Sequence, residues 1–459
     1  MGIHAVNTNG SKPASTPGHS PQGEAGQPFA PAAPAFGPRI TRDLAHDPAP
    51  PDACRIPDAS FEGAGFDDDL QSFAAGHNTA DHAEGIPADS TRRDGLSIGP
   101  VKGRGGNLNP ANRFQSLRLH VLDEHLGQVA AERAELGLPQ LAQVPTRILE
   151  DSSRSIINKV DSPDIHFEWT VNPYRGCEHG CIYCYARPGH EYFGLSLGLD
   201  FETTIFAKHD APELLEKELK KESWRGEPIV MSGVTDPYQP CERDLKITRR
   251  CLEICAKFRQ PVSIITKSAL VTRDIDLLAE LARYNAARVA ISLTTLDNTL
   301  ASTMEPRAAA PRARLKAMKA LADAGVPVTV MTAPIIPGLN DREIPKLLQA
   351  AARYGATHAG YVLLRLPYQI KDLFLEWLQR TVPDKAARVE ALLRDTRSGM
   401  LYDARAFVRQ KGEGALAEHI GATFRVFCRR SGLNQGPRPK LSSDSFHRPQ
   451  AQMGLFGRM

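Results

Sequence analysis

Six short runs of aliphatic and β-branched residues alternate with longer amphipathic segments between residues 165 and 366. After the first run, successive runs begin 27 to 37 residues apart, which is the length of a βα unit. The runs are continuously apolar, a pattern typical of parallel strands buried on both faces. We therefore predict an α/β fold, a partial (β/α)6 TIM-like barrel. The predicted strands are 165–171, 229–232, 262–266, 289–293, 326–331 and 361–366.

The segments around these runs carry apolar residues at helical spacing. Within the barrel we predict helices at 213–221, 244–258, 274–284, 312–324 and 342–353. Beyond residue 367 the strand pattern stops. Helices at 373–379, 385–393 and 414–428 are expected to form a C-terminal extension.

The first 110 residues differ in composition from the rest of the chain. They contain 14 Pro and 15 Gly, whereas the remaining 349 residues contain 42 of the two together. Such a segment buries too little apolar surface to offset its ordering entropy, so we expect a disordered leader. The expected boundaries are a leader at 1–110, a lead-in at 111–160, the barrel at 161–368, a helical extension at 369–430 and a flexible basic tail at 431–459.

Charge and hydropathy exclude several classes of protein. No run of 18 apolar residues exists, so we predict no membrane span. The chain begins without the pattern of a secretory signal, which indicates a cytoplasmic protein. Residues 429–459 contain six basic residues and one acidic residue. This basic end suits a nucleic-acid backbone, or equally a solvated terminus that keeps the protein in solution.

Three cysteines follow the first predicted strand closely. Cys177, Cys181 and Cys184 have the spacing C-x3-C-x2-C in a loop rich in Gly and Pro. Thiolates at this density repel one another unless a cation shares their charge, so we predict a metal site. Three protein ligands on a 4Fe-4S cluster leave one iron open to another ligand. The alternative is a structural zinc site completed by His179 or His190, although such sites commonly use two paired clips.

The cysteine loop, with aromatic Tyr183 before its third cysteine, resembles the signature loop of the radical S-adenosylmethionine (SAM) superfamily. The segments Asn172-Pro-Tyr-Arg-Gly-Cys and Thr235-Asp-Pro-Tyr-Gln-Pro resemble its spore photoproduct lyase-like branch, often labelled DNA repair photolyase-like. The similarity runs from about residue 146 to about residue 433. The resemblance implies a radical SAM barrel with a 4Fe-4S cluster whose open iron binds SAM. It also implies a one-electron reductant, such as flavodoxin or ferredoxin, and cleavage of SAM to a 5′-deoxyadenosyl radical that abstracts hydrogen.

Polar residues cluster where the predicted strands end, which is where barrels of this kind form their active sites. For Lys267 and Arg365 the alternative is a strand-end charge that reaches solvent, and for Ser292 a core hydroxyl. By resemblance and position, the predicted SAM contacts are Tyr183, Tyr185, Ser232, Gly233, Thr235, Asp236, Lys267, Ser292, Pro337, Gly338 and Arg365.

The other cysteines have less certain roles. Spore photoproduct lyases carry a cysteine hydrogen donor at the end of strand two, where this chain has Gly233 or Val234. Cys241, five residues after Asp236, is the candidate catalytic replacement, and the alternative is a small buried side chain. Cys251 and Cys255 share an apolar helix face, which predicts core packing.

The expected function is a radical SAM enzyme, with damaged DNA or another nucleic acid as a candidate substrate. The alternatives are a non-catalytic iron-sulfur or zinc module that binds nucleic acid, and a radical SAM enzyme acting on RNA, a peptide or a small metabolite. Near the C-terminus, Gln452, Leu455 and Phe456 resemble the short peptide with which bacterial repair proteins bind the sliding clamp. The clamp is therefore a candidate partner.

Overall fold

The larger sheet among the described residues has seven strands, in the order β10-β9-β8-β7-β6-β3-β2. The computed structural model describes residues 103–106, 108–110, 112, 144–436 and 440–449. The strands are β1 (Arg147–Glu150), β2 (Ile157–Lys159), β3 (Trp169–Val171), β4 (Tyr174–Arg175), β5 (Thr204–Ala207), β6 (Ile229–Met231), β7 (Val262–Thr266), β8 (Ala287–Ser292), β9 (Val328–Ile335) and β10 (His358–Leu363).

Six strands of this sheet run parallel, and β2 joins its edge antiparallel to β3. These six are the predicted barrel strands, and the partial (β/α)6 fold is confirmed. Strands β6, β7 and β8 are buried almost throughout, as expected for parallel strands that are covered on both faces. The carboxyl ends of the parallel strands therefore meet at one edge.

Helices return the chain between the strands and extend beyond them. A predicted helix at 244–258 is broken at Lys246, which adopts the left-handed backbone conformation with φ of 53°. The helices are α1 (Asp200–Thr203), α2 (Ala211–Leu219), α3 (Glu242–Leu245), α4 (Ile247–Phe258), α5 (Ile275–Ala282), α6 (Asn298–Met304), α7 (Pro311–Asp323), α8 (Ile344–Arg353), α9 (Ile370–Thr381), α10 (Pro383–Asp395), α11 (Val408–Lys411) and α12 (Ala415–Arg430), and 3-10 turns span Arg187–Phe193, Ala269–Asp274 and Asp341–Glu343. Within the part of the chain that the structure describes, no helix is both long and apolar enough to cross a bilayer.

A second sheet of three short strands, in the order β1-β5-β4, was not predicted. It lies beside the cysteine loop because β4 leads directly into that loop and pairs antiparallel with β5. Strand β4 is only two residues long, so it carries no alternating pattern that sequence reading could detect.

Part of the predicted leader packs on the cysteine loop. The N–H groups of Gly105 and Gly106 donate to the carboxylate of Glu202, at 2.9 and 2.7 Å. A Cβ atom on Gly105 would lie 1.9 Å from the carbonyl oxygen of Gly180, so only glycine fits this approach. The expectation of disorder up to residue 110 is therefore wrong for 103–106 and 108–110. Cys54 lies outside the described residues.

Part of the predicted flexible tail also packs back on the barrel. The ring of Phe446 stacks 6.5 Å from that of Phe258, and the Ser443 hydroxyl donates to the Gly226 carbonyl at 2.7 Å. Leu433 is fully buried. The expected flexible segment 431–459 is therefore wrong for these residues, because an aromatic anchor offsets the cost of ordering the chain. Residues 452–456, the predicted clamp peptide, lie outside the described part.

Two large apolar clusters, and a small one formed by Cys177, Ala186 and Phe201, lie in the interior of the described part of the chain. The larger contains the sheet and its covering helices, and it includes Cys251 and Cys255, whose predicted core packing is confirmed. The second joins Ile182 and Tyr183 of the cysteine loop to α9 and α10 through Phe374. The C-terminal extension thus packs directly against the cysteine loop.

Buried ion pairs fasten the cysteine loop and its neighbours. Arg187 pairs with Glu202 at 2.5 Å, both side chains are fully buried, and Arg187 also donates to the Cys181 carbonyl at 2.9 Å. Arg314 pairs with Glu305, and Tyr183 donates its hydroxyl to the same carboxylate. Burial raises the pKa of Glu305, but Arg314 and Lys267 outweigh it and hold the pKa to about 2.

We predict that Glu305→Gln destabilises the protein by about 3–5 kcal/mol at pH 7, because Arg314 remains buried without a counter-charge. The pKa of Glu305 lies below its ordinary value of 4.5. Its contribution is therefore complete above pH 4.5 and disappears as the pH falls towards 2. The difference between wild type and variant should shrink over that interval. Urea midpoints measured on the metal-free protein test this.

Asp323→Asn is the matched control. Asp323 pairs with Lys319 at 2.9 Å on the exposed face of α7, so its loss should cost less than about 1 kcal/mol at any pH. Equal midpoints for the two variants at pH 7 would contradict the proposed role of Glu305.

Candidate functional site

A cavity of about 300 Å3 lies at the carboxyl ends of the parallel strands. Cys177, Cys181 and Cys184 line it together, because the cysteine loop leaves the end of β3 at this edge. The apolar part of its wall comes from strand residues such as Ile265 and Met331. Nine of the eleven predicted SAM contacts line the same cavity, namely Tyr183, Tyr185, Ser232, Gly233, Thr235, Asp236, Lys267, Ser292 and Arg365.

Pro337 and Gly338 do not line this cavity. Strand β9 reaches the cavity with Ala333 and Pro334 instead. The chain then turns away, and a Cβ atom on Gly338 would meet Leu392 of α10 at 2.8 Å. Gly338, one of the predicted SAM contacts, therefore lies against the C-terminal extension, a placement that spacing along the chain could not reveal.

Cys241 is also absent from the cavity wall. Its backbone N–H donates to the Glu178 carboxylate at 2.6 Å, and its side chain packs on the larger apolar cluster. Burial, the Glu178 carboxylate and its hydrogen bond raise the pKa of the thiol, so the thiol is neutral. Cys241 therefore packs as a small apolar side chain, which was the alternative to a catalytic role. The structure does not place this predicted hydrogen donor at the cavity.

Cys177 and Cys181 are buried and Cys184 is partly exposed, and all three thiols are protonated in the absence of a metal. Burial is the largest cause of the raised pKa of each thiol. For Cys181 the pKa rises to about 12, although Lys267 opposes the rise. Metal binding to such a group requires release of the proton, which a cationic centre favours.

Asp236 connects three parts of the site. Its Oδ1 accepts from the Thr266 hydroxyl at 2.7 Å, and its Oδ2 accepts from the Lys267 N–H at 2.7 Å. His179, which lies between two of the cysteines, places Nδ1 3.3 Å from the same Oδ2. Burial raises the pKa of Asp236, but His179 and these hydrogen bonds outweigh it and hold the pKa to about 2. The ionised carboxylate therefore ties the cysteine loop to the ends of β6 and β7.

Both histidines of the zinc alternative have other partners. His179 faces the Asp236 carboxylate. His190 is buried outside the cavity, with Nε2 2.8 Å from the Thr204 carbonyl and its ring on Phe201. Across the described residues, no group of three or more His, Cys, Asp or Glu side chains is arranged around a single metal ion.

A second charged group borders the cavity. The Lys267 ammonium lies 5.7 Å from the Tyr183 ring centroid. Burial lowers the pKa of Lys267, but Cys181 and Glu305 outweigh it, so the net shift is upward and the side chain is cationic. Lys267 is therefore placed to compensate negative charge on sulfur ligands.

The turn after β6 presents backbone to the cavity. Ser232 has φ of 111°, in the region that residues other than glycine rarely adopt and that costs roughly 1–3 kcal/mol. The Val234 N–H donates to the Asn172 side chain at 3.1 Å, and Tyr185 donates its hydroxyl to the Gly233 carbonyl. These contacts hold the turn in its strained form.

Two residues that position the loop were missed by reasoning from the sequence. Glu178 is buried and accepts from the Thr146 hydroxyl at 2.7 Å, and Arg307 lies 3.0 Å from it. Gln239 accepts from the Glu178 N–H at 2.8 Å and donates to the Gly176 carbonyl at 3.2 Å. The sequence could have indicated both residues, because Glu178 follows Cys177 directly and Gln239 lies within the Thr235-to-Pro240 segment.

The residues present fit a 4Fe-4S cluster and SAM. Three thiols in one cavity supply the donor set that leaves one iron open. A cavity of this size, mostly apolar with a few polar groups, is typical of a small-molecule site. The fit rests on Cys177, Cys181 and Cys184 together with the polar strand ends.

Comparisons with known proteins agree with this geometry. The model of the radical SAM superfamily matches residues 171–351. An uncharacterized protein of Mycobacterium tuberculosis is 37% identical over 244 residues, which is 52% of this chain and 72% of that protein. An uncharacterized protein of Methanocaldococcus jannaschii is 31% identical over 196 residues, covering 43% and 70%.

Among solved structures, spore photoproduct lyase complexed with dinucleoside spore photoproduct matches with a TM-score of 0.43 and 15% identity, covering 67% of this chain and 93% of that chain. Streptococcus suis SuiB bound to SAM matches with a TM-score of 0.25 and 13% identity, covering 61% and 53%. The family-model match and the relatives, together with the three-cysteine cavity, confirm the predicted superfamily. The chain belongs to the radical SAM superfamily, which implies a 4Fe-4S cluster and SAM as its cofactors.

Proposed function

We propose that this protein is an enzyme that cleaves SAM reductively and acts on a nucleic acid. One observation supports reductive cleavage of SAM: Cys177, Cys181 and Cys184 line the same cavity as the polar residues at the strand ends. When bound, the cluster supplies one electron and SAM supplies the 5′-deoxyadenosyl group that abstracts hydrogen. All other contributions come from the protein's own residues.

The protein holds and shields the reacting groups. Asp236 contacts the His179 side chain, and Glu178 accepts from the Cys241 N–H. These contacts tie the cysteine loop to the segment after β6, which helps the three sulfurs keep their spacing. The cationic Lys267 offsets negative charge near the sulfurs. The second apolar cluster includes Cys181, Tyr183 and Leu364 of the cavity wall and packs them against α9, so this side of the cavity is apolar.

Surface charge supports a nucleic-acid substrate. The chain after residue 428 has a net excess of basic residues. Arg429, Arg430 and Lys440 are exposed. Exposed cations of this kind bind phosphates without regard to sequence. The packing of Leu433 and Phe446 anchors this basic segment on the barrel.

We predict that Cys177→Ala, Cys181→Ala and Cys184→Ala each abolish the brown iron-sulfur absorbance after anaerobic reconstitution. Production of 5′-deoxyadenosine from SAM under reducing conditions should fall by more than about 100-fold. Loss of a residue that only hydrogen-bonds to a metal ligand typically costs roughly 10- to 100-fold, and loss of a ligand itself should cost more. The matched control is Cys251→Ala, because Cys251 is fully buried in α4 within the larger cluster. Absorbance, iron content and chromatography of the product provide the measurements.

Cys251→Ala should retain both the absorbance and the product. A colourless wild-type protein that holds zinc would instead support a non-catalytic module and overturn the enzyme proposal. A brown wild-type protein that leaves SAM intact would overturn it as well.

We also predict that Arg430→Gln with Lys440→Gln weakens binding to DNA. For each phosphate that the protein no longer neutralises, the slope of log affinity against log salt should become shallower by about 0.9. Substitution is preferable to truncation because truncation would also remove Leu433 and Phe446 and uncover the apolar residues that they pack on. Fluorescence anisotropy across a salt series measures the slope.

The control for this experiment is Lys316→Gln with Lys319→Gln, which removes two exposed charges from α7. It should bind DNA as the wild type does. Wild-type protein that shows no DNA binding at low salt, or equal slopes for both double variants, would remove the basic segment from the proposal.

A further inference from the structure

A small chamber of about 70 Å3 adjoins the main cavity. The two spaces share Tyr185, Gly233 and Arg365 in their walls. On the same scale one water needs roughly 10–15 Å3, so the chamber can hold a group of several heavy atoms. Its position beside the cysteine cavity is where a part of the substrate away from the reacting atom would lie.

Arg365 has hydrogen-bonding capacity that the protein leaves unused. Its Nε is buried and has no hydrogen-bond partner among the described residues. Its guanidinium lies 5.0 Å from the Tyr185 ring centroid. Within the described part of the chain it forms no ion pair with a carboxylate. The side chain is half-buried, and a buried N–H without an acceptor is costly, so the guanidinium is placed for a ligand that accepts a hydrogen bond.

Tyr402 offers a second unused donor. Its hydroxyl is buried and lacks a hydrogen-bond partner in the described part of the protein, and its side chain lines the same chamber. A guanidinium and a phenol hydroxyl can both donate to an oxyanion. Together, the Arg365 guanidinium and the Tyr402 hydroxyl favour a ligand with a negatively charged oxygen.

The surrounding charges leave an excess of positive charge. Arg409 also lines the chamber, but Asp164 neutralises it at 2.7 Å. Arg397 is 1% exposed and donates to the carbonyl oxygens of Leu364 and Arg409, at 3.3 and 3.2 Å. Burial lowers the pKa of Arg397, and Arg365 lowers it further, against the opposing effect of Asp403. An anion in the chamber would relieve the repulsion between Arg365 and Arg397.

The chamber walls are aromatic as well as basic. Phe167, Tyr368 and Tyr402 contribute rings, together with Tyr185. Interleaved aromatic and arginine side chains are the pattern by which proteins bind single-stranded nucleotides, with bases on the rings and phosphates on the cations.

We propose that Arg365 and Tyr402 bind a phosphate of a nucleotide unit of the substrate, while the aromatic walls accept a base. The inference rests on the proposed function and names the substrate group that this side of the site recognises. It assigns Arg365 to the substrate, whereas the sequence predicted a contact with SAM.

The test is isothermal titration of the reconstituted full chain with the thymidine dinucleotide d(TpT) under anaerobic conditions. The comparison ligand is the d(TpT) analogue with a neutral methylphosphonate link. Wild type should bind the charged dinucleotide roughly 10- to 100-fold more tightly. Arg365→Gln should remove that preference, and Tyr402→Phe should weaken d(TpT) binding about 3- to 10-fold.

Arg394→Gln is the matched control, because Arg394 is an exposed arginine that pairs with Glu390 at 2.7 Å. It should bind both ligands as the wild type does. Iron content establishes that each variant is loaded. If Arg365→Gln does not bind the iron-sulfur cluster, the d(TpT) affinity of Tyr402→Phe tests the inference, because that substitution removes one oxygen and no charge.

Equal affinity of the wild type for the charged and neutral ligands would overturn the inference. So would unchanged d(TpT) affinity in both loaded variants. Production of 5′-deoxyadenosine is measured on the same samples. If the wild type forms it without discriminating the ligands, the phosphate subsite fails and SAM cleavage stands. If the wild type forms none, the proposed function itself fails.

Discussion

Buried carboxylates hold the cysteine loop, and the geometry of the site depends on them. Glu202 accepts from the N–H groups of the segment at 103–106 and pairs with Arg187, which itself binds the Cys181 carbonyl. Glu305 takes the Tyr183 hydroxyl and the Arg314 guanidinium. Asp236 faces His179. Glu202 and Glu305 are buried and Asp236 is largely so, and each carboxylate has polar partners, so a shift of the loop would break these contacts.

The sheet supplies the other half of the site. Parallel strands end at one edge, and the turns after β6, β7 and β8 bring Ser232, Lys267 and Ser292 towards the three thiols. The strained backbone of Ser232 is retained because hydrogen bonds from neighbouring elements fix the turn. The loop and the strand ends therefore form one cavity although they lie far apart in the chain.

The C-terminal extension completes the enclosure. Helices α9 and α10 pack on Ile182 and Tyr183, and the segment before α11 carries Tyr402 to the side chamber. In this arrangement the predicted SAM contacts in the cavity lie on the cysteine loop and the strand ends. The proposed phosphate subsite combines Arg365, just after β10, with Tyr402 of the extension. A division of this kind lets one barrel serve different substrates.

Much of the barrel was predictable because burial on both faces leaves a direct trace in the sequence. The six parallel strands and the helices between them follow the apolar runs, and Cys251 and Cys255 lie in the core as their helical spacing indicated. The departures have a common cause. Gly105 and Phe446 order their segments through contacts with residues about 75 and 190 positions away along the chain. Local composition does not predict contacts at this separation.

The order of residues along the chain was sufficient to establish three cysteines on one short loop, six buried parallel strands and polar groups at the strand ends. These features are local, since spacing and periodicity express them directly. The fold alone established which groups meet. It brought nine predicted contacts to one cavity, left Pro337 and Gly338 outside it with Gly338 against α10, kept Cys241 off the cavity wall and placed Arg365 and Tyr402 in the wall of one chamber. These contacts join residues that are distant in the sequence. They depend on how loops and helices pack in the folded chain, which local sequence patterns do not express.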